Sequence, residues 1–250
     1  MVDVVDQDRR APRRVVPAPV EDSDELQTYW FAGDVVAMVR LTLSPCFLSY
    51  EIFIRELIAN AMDAMAILKD YAPEKVEQAE ELFVRITPDP EKRTLIIEDF
   101  GTGMTSDELV EYLGTVGKSG SAFYMEYRKM TERSKPEPLQ LVGRFGIGFY
   151  SVFRVVDYVR VISKSHLGTP QVAWTAAEGE EFRVQLDTEM EHGQLRRGTK
   201  VICHLKQNML QYVDFERVEE LVFQHSEMLR FPVKFGMVQM ERRSQKRRRL

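Results

Sequence analysis

Apolar positions recur at helical spacing from Ser49 to about Asp70, with Ile52, Ile58, Ala59, Met62 and Met65 supplying much of one side. Two β-rich runs follow, Leu82 to Thr87 and Thr94 to Glu98, joined by the turn-forming Pro88-Asp89-Pro90-Glu91, so they read as a hairpin. Thr105 to Leu113 reads as a short helix with Thr105 as its cap and Glu108 three residues on, the spacing of a capping box. The stretch from Gly114 to Gly148 then loses periodicity and gains Gly, Ser and Pro. Beyond it, Tyr158 to Ser163, Gln171 to Thr175, Phe182 to Leu186 and Lys200 to Leu205 carry β-branched or alternating patterns. Helical spacing returns from Asp214 to Arg230 through Val218, Leu221, Val222, His225 and Leu229. Helices placed before and between antiparallel strands predict an α+β fold, a two-layer α/β sandwich with a mostly antiparallel sheet, and not a doubly wound parallel one.

The ends look different. Residues 1 to 25 carry Pro12, Pro17, Pro19 and many charges with little apolar order, which predicts a disordered leader. Glu241 to Leu250 is a basic tail or the start of a linker. The span 26–240 is thus the expected single domain. A length of 250 residues with 44% hydrophobic content suffices to bury its core.

A net charge of −5 gives no global reason to expect nucleic acid as a partner, although the Arg242 to Arg249 run keeps a local version of that reading in view. Two cysteines, Cys46 and Cys203, without CxxC spacing encode neither a disulfide framework nor a zinc site. No apolar run approaches the roughly 20 residues that cross a bilayer, so no membrane partner is expected. A cytoplasmic location fits the cysteine usage. Mitochondrial targeting is the alternative, from Arg9, Arg10, Arg13 and Arg14, but Asp3, Asp6 and Asp8 lie among them and amphipathic order is lacking.

Three segments carry candidate chemistry. Glu56, Asn60 and Asp63 fall at i, i+4 and i+7 of the first helix and share a face. Such a trio is either a solvated stripe or a site in which Glu56 activates water and Asn60 completes a magnesium shell otherwise made of phosphates and waters. Asp99-Phe100-Gly101-Thr102-Gly103-Met104 ends a hydrophobic strand. It is either a turn relieved by glycine or a place where a carboxylate accepts a hydrogen bond from an exocyclic amine, with Met104 packing on a planar base. Gly143-Arg144-Phe145-Gly146-Ile147-Gly148-Phe149 precedes an apolar, helix-compatible run and suggests backbone amides offered to phosphate. Its GxxGxG spacing is not that of a dinucleotide loop. Gly117-Lys118-Ser119 imitates the end of a Walker loop, yet Tyr112 stands where that motif needs glycine. Lys118 can still reach a phosphate from a hinged segment.

Taken in order, these elements resemble the nucleotide-binding superfamily of gyrases, heat-shock protein 90, histidine kinases and mismatch-repair ATPases. Within it, IFIRELIANAMDAM, IIEDFGTGMTSDEL, LGTVGKSGSAF, VGRFGIGFYSVFRVVDYVRVISKS and GTKVICHLK resemble successive signatures of the N-terminal ATP-binding domain of heat-shock protein 90. The resemblance implies the Bergerat-type sandwich and a slow ATPase that binds ATP or ADP with Mg2+. It assigns Glu56 as general base, Asn60 as magnesium ligand and Asp99 as partner of the adenine amino group. Thr199 would support the base through water, Gly103 and Met104 would line its pocket, and Asp63 would belong to the nucleotide-binding set. Lys118 and the loop Gly143, Phe145, Gly146, Gly148, Phe149 would meet phosphates and ribose, with a lid over about residues 114–143.

The resemblance further implies client proteins and co-chaperones as partners, a homodimer formed through regions absent from this chain, and an arginine from a following domain that assists hydrolysis. On that reading the chain is a fragment or a short member of the family. The alternative function is a non-catalytic, nucleotide-regulated interaction module. Two positions depart from the family: Ile67 replaces a lysine four residues after Asp63, and Tyr112 replaces an asparagine. Pro136 and Pro138 fall in a lid segment a few residues longer than usual.

Overall fold

The computed structural model describes residues 26–31, 49–76, 82–131, 139–177 and 181–236. The expected leader, the basic tail, Cys46 and the two lid prolines lie outside them.

Eight strands form one sheet in the order β1-β6-β5-β4-β7-β3-β2-β8. They are β1 (Gln27–Trp30), β2 (Val84–Asp89), β3 (Thr94–Asp99), β4 (Val156–Lys164), β5 (Val172–Ala177), β6 (Glu181–Leu186), β7 (Gly198–Leu205) and β8 (Val233–Phe235). Neighbours pair antiparallel except β2 and β8, which run parallel. The expected sandwich with a mostly antiparallel sheet is what the chain forms.

The hairpin from β2 to β3 is closed by Asp89, whose Oδ1 accepts the Lys92 backbone N–H at 3.0 Å, with Arg93 left-handed at φ 55°. Proline is tolerated at Pro88 because β8 pairs only with Val84 to Ile86, leaving that edge of β2 without a ladder partner beyond Ile86.

Helix α1 (Ile52–Tyr71) lies across the sheet. Phe53, Ile54, Leu57, Ile58, Met62, Met65 and Leu68 are fully or almost fully buried, and they meet Leu95 and Ile97 of β3 in the main core. A second part of that core is aromatic. Phe31 packs within 6.3 Å, centroid to centroid, of Tyr150, Phe153, Trp174 and Phe182. The opposite sheet face carries a small cluster of Ile96, Ile162, Ala173, Leu195 and Ile202. Beside it runs a cross-strand charge ladder, Arg85 to Glu98 at 2.9 Å and Lys200 to Glu98 at 3.4 Å.

Helix α2 (Ser106–Gly114) has the full capping box: Thr105 Oγ1 accepts from the Glu108 N–H, and Glu108 Oε2 accepts from the Thr105 N–H. Several elements differ from the sequence pattern, strands β1 and β8 among them. The segment after Gly114 holds helix α3 (Gly120–Met130), capped by Ser119. SAFYMEYRKM contains neither Gly nor Pro, so the loop-like composition ends at Gly120.

The run after Gly146 is a 3-10 helix, Gly148–Arg154, in place of an α-helix. It leads straight into β4 at Val156, which leaves no room for a longer helix. The last helix, α4 (Phe215–Gln224), is capped by Asp214 and ends at Gln224, not Arg230. A 3-10 turn (Ser226–Met228) and Pro232 then deliver β8 to the sheet edge.

Candidate functional site

The two layers leave a cavity of about 570 Å³ between α1, the ends of β3, β4 and β7, α2, and the segments 118–127 and 142–149. Its lining contains Glu56, Asn60, Asp99, Gly103, Met104, Lys118, Gly143, Phe145, Gly146, Gly148, Phe149 and Thr199. Every residue singled out from the sequence is therefore at the cavity except Asp63.

At the sheet end, register builds the site. Asp99 on β3 pairs with Thr199 on β7, and Thr199 pairs with Ser163 on β4, so three polar side chains stand in a row on adjacent strands. Ser163 Oγ lies 2.9 Å from Thr199 Oγ1 and accepts the Met104 N–H at 2.9 Å, which fixes the strand-end loop. Asp99 Oδ1 accepts the Gly101 N–H at 2.8 Å. Burial pushes the Asp99 carboxyl up to about 7, against the lowering effect of the Gly101 and Thr199 N–H groups and with a small further rise from Glu98. A buried carboxyl poised near neutrality gains from any N–H donor brought to it, and an exocyclic amine is such a donor.

At the other end, α1 presents Glu56 and Asn60 one turn apart. Burial raises the Glu56 carboxyl above the usual range, an effect partly opposed by Arg55, whose Nη1 lies 3.4 Å from Oε1. The glycine loop is shaped around these side chains. A methyl group on Gly148 would stand 2.2 Å from Glu56 Oε2, so any larger residue there would push that carboxylate from its place. Gly146 has φ 64° and its methyl would meet the Lys118 carbonyl oxygen at 2.2 Å, so the two legs of the segment pass in direct contact. They are also tied by Gly117 N–H to Gly146 O at 3.1 Å, and by the Ser119 hydroxyl donating to the Gly143 carbonyl.

Lys118 Nζ is more than half exposed and sits 3.4 Å from Glu111 Oε1. Phe145 is at the rim, exposed, while Phe149 is buried.

Asp63 does not line the cavity. It is 1% exposed and accepts N–H groups from Val142 (3.0 Å) and Gly143 (2.8 Å) and the Arg230 guanidinium at 2.6 Å. Its position in the i, i+4, i+7 trio is correct: seven residues make nearly two full turns, so Asp63 keeps the face of Glu56 but lies roughly 10 Å further along α1, where the returning loop and not the void covers it.

The sequence reading did not pick out Ser163, Tyr124 and His166. Tyr124 on α3 donates to Asp70 Oδ2 at 2.7 Å, and Arg128 one turn on lies 3.3 Å from the same oxygen, fastening α3 to the end of α1. The i, i+4 spacing of Tyr124 and Arg128 was the available signal. His166 shares the Thr102 carbonyl through its backbone N–H (2.7 Å) and Nδ1 (3.1 Å). Ile67 and Tyr112, the two departures, both line the cavity, and Ile67 packs against the cluster of Ala66, Tyr124 and Leu141.

Among the described residues no group of three or more His, Cys, Asp or Glu is placed to hold a metal ion. A cation at Asn60 would therefore take most of its shell from the ligand's own oxygens and from water, which suits magnesium delivered with a nucleotide. No helix among the described residues is long and apolar enough to cross a membrane.

Comparison with known proteins agrees with this geometry. Residues 48–200 match the family model described as histidine kinase-, DNA gyrase B-, and HSP90-like ATPase. The chaperone protein HtpG of Myxococcus xanthus is 34% identical over 220 residues, 86% of this chain and 32% of the relative. The mitochondrial heat shock protein 90-6 of Arabidopsis thaliana is 35% identical over 211 residues, 83% of this chain and 26% of the relative. An endoplasmin homolog of Catharanthus roseus is 35% identical over 214 residues, 84% of this chain and 25% of the relative. The chain thus spans about a third or less of the length of these relatives. With the sheet, the cavity and the family match together, the chain belongs to the histidine kinase-, DNA gyrase B- and HSP90-like ATPases, as an ATP-binding domain of the HSP90 type.

Proposed function

We propose that this domain binds ATP with Mg2+ and hydrolyses it slowly, and that closing of the segment 114–143 over the nucleotide is the output read by the rest of an HSP90-type chaperone. The observation that carries the reading is the placement of Asp99 and the Glu56–Asn60 pair on the walls of one cavity.

In this reading Asp99 accepts the adenine amino hydrogen and Thr199 supports the base. Met104 and Gly103 form the wall beside the ring. Asn60 holds the cation side of the phosphates, where Mg2+ neutralises phosphate charge. Lys118 and the N–H groups of the Gly143 to Phe149 loop face the phosphate oxygens. Glu56 orients and deprotonates the attacking water. Its raised proton affinity, caused by burial, makes it a stronger base than an exposed glutamate. Arg55 beside it partly offsets that rise. Segment closure excludes water from the reacting end. Client proteins and co-chaperones are the partners this reading carries.

Calorimetry of ADP and a non-hydrolysable ATP analogue tests binding: the expected outcome is magnesium-dependent affinity in the native protein and its loss in Asn60→Ala. No binding by the native protein refutes the proposal. Hydrolysis is tested by phosphate release in a full-length protein. Glu56→Ala is expected to abolish release while nucleotide still binds; equal release by both forms leaves the non-catalytic interaction module as the function.

A further inference from the structure

We propose that Arg230 is a positioning residue for the phosphate side of the pocket, holding the return leg of the lid against α1 through the buried carboxylate of Asp63. The proposal rests on the nucleotide reading given above. Asp63 is 1% exposed, and an ionised carboxylate at that depth requires partners. Two are backbone N–H groups of the return leg, Val142 and Gly143.

The third partner comes from the far end of the chain. Arg230 Nη2 donates to Asp63 Oδ1 at 2.6 Å, while its Nη1 donates to the Gln140 carbonyl. One planar guanidinium therefore spans helix and loop, a geometry that an ammonium cannot reproduce.

The helix supplies no charge of its own here. The neighbours of Asp63 along its face are Ala59, Asn60, Ala66 and Ile67, and Ile67 occupies the i+4 position from which a lysine would reach the carboxylate. Arg230 brings the missing cation from the segment that enters β8.

The consequence for the pocket follows from Gly143. Its N–H is held by Asp63, and a methyl group on it would meet Asn60 Oδ1 at 2.6 Å, so the leg and the Asn60 amide are in contact. Loosening the leg displaces the wall against which Asn60 is set. Phosphate-side contacts should suffer and base-side contacts at Asp99 should not.

The test uses Arg230→Ala, Arg230→Lys and Arg230→Ala combined with Ile67→Lys, with two readouts. Amide hydrogen exchange of Val142 and Gly143 is followed without nucleotide, and affinities for Mg-ADP and adenosine are measured by calorimetry. Loss of a charge-assisted bond predicts exchange in Arg230→Ala faster by about tenfold or more. Mg-ADP affinity should fall by a similar factor while adenosine affinity holds. Arg230→Lys should recover only part of both, and Ile67→Lys, which restores a cation from the helix, should recover both more fully.

Unchanged exchange in Arg230→Ala overturns the latch. Faster exchange with ADP and adenosine affinities reduced alike, or both unchanged, reduces Arg230 to a structural role and overturns the positioning claim. If native protein binds neither ligand while exchange responds as expected, the latch stands and the nucleotide reading fails.

Discussion

Asp99→Asn should make the unliganded domain more stable and at the same time unable to hold adenine. The carboxyl is buried and its pKa is raised from the ordinary 3.8 to about 7, with desolvation the main cause. The folded protein therefore binds a proton at Asp99 between those two values that the unfolded chain has released. Stability contributed by this group falls as pH rises through that window and levels off above 7.

Converting the difference at about 1.4 kcal/mol per tenfold gives a total cost on the order of 4 kcal/mol at pH 8, of which less than half is already present at pH 5. An asparagine keeps an oxygen to accept the Gly101 N–H and has no charge to bury. The difference in unfolding free energy between variant and native protein should thus grow by roughly 2–3 kcal/mol from pH 5 to pH 8, or some 5–10 °C in Tm for a domain of this size.

Urea denaturation without nucleotide at the two pH values measures it, and the variant-minus-native difference cancels other titrating groups such as Glu56 and His204. A variant less stable than the native protein at pH 8, or a difference independent of pH, would refute the assignment of the raised proton affinity to desolvation. In the liganded arm the native protein should bind adenosine about tenfold more weakly at pH 6 than at pH 8, because protons compete for the acceptor. Asp99→Asn should bind no adenosine measurably at either pH.

Gly148→Ala places a methyl group 2.2 Å from Glu56 Oε2, so it should cut phosphate release far more than it weakens adenosine binding; equal losses in the two assays would contradict the close approach. Tyr124→Phe removes the hydrogen bond to Asp70 but leaves Arg128 in place, and α3 amides should exchange several-fold faster without a change in global stability. Unchanged exchange would mean that the Arg128 pair alone fastens the helix.

The parts of the fold visible in the sequence were those where one element decides its own structure. Thr105 and Glu108 cap α2 by local bonds, and the hairpin at Asp89 to Arg93 closes on itself. Helix α1 follows from apolar spacing because nearly all of its buried side chains face one core. What escaped was set by contacts distant in the chain. The strand β8 is three residues long and takes its conformation from pairing with β2, about 150 residues earlier in the chain. Helix α3 buries only Tyr124 and is held by Asp70 of α1, so loop-like residues on its N-terminal side hid it.

The same distinction explains the site. Glu56 and Asn60 were legible because a helix fixes their relation, and Asp99 because a strand end does. Ser163 was not, because its partners Thr199 and Met104 become neighbours only when β4, β7 and the post-β3 loop are aligned. Asp63 shows the limit from the other side. Its placement on α1 was right, but a position on a helix face does not say what the face meets. Here it meets a loop that closes on it with two N–H groups and an arginine from beyond α4. On the proposed reading, a carboxylate beside the candidate nucleotide site holds the wall in place and does not meet the ligand. Substitutions at Asp63 should consequently be judged by loop exchange before any loss of binding is assigned to ligand contact, since a direct contact and a displaced wall both reduce affinity and only the loop readout separates them.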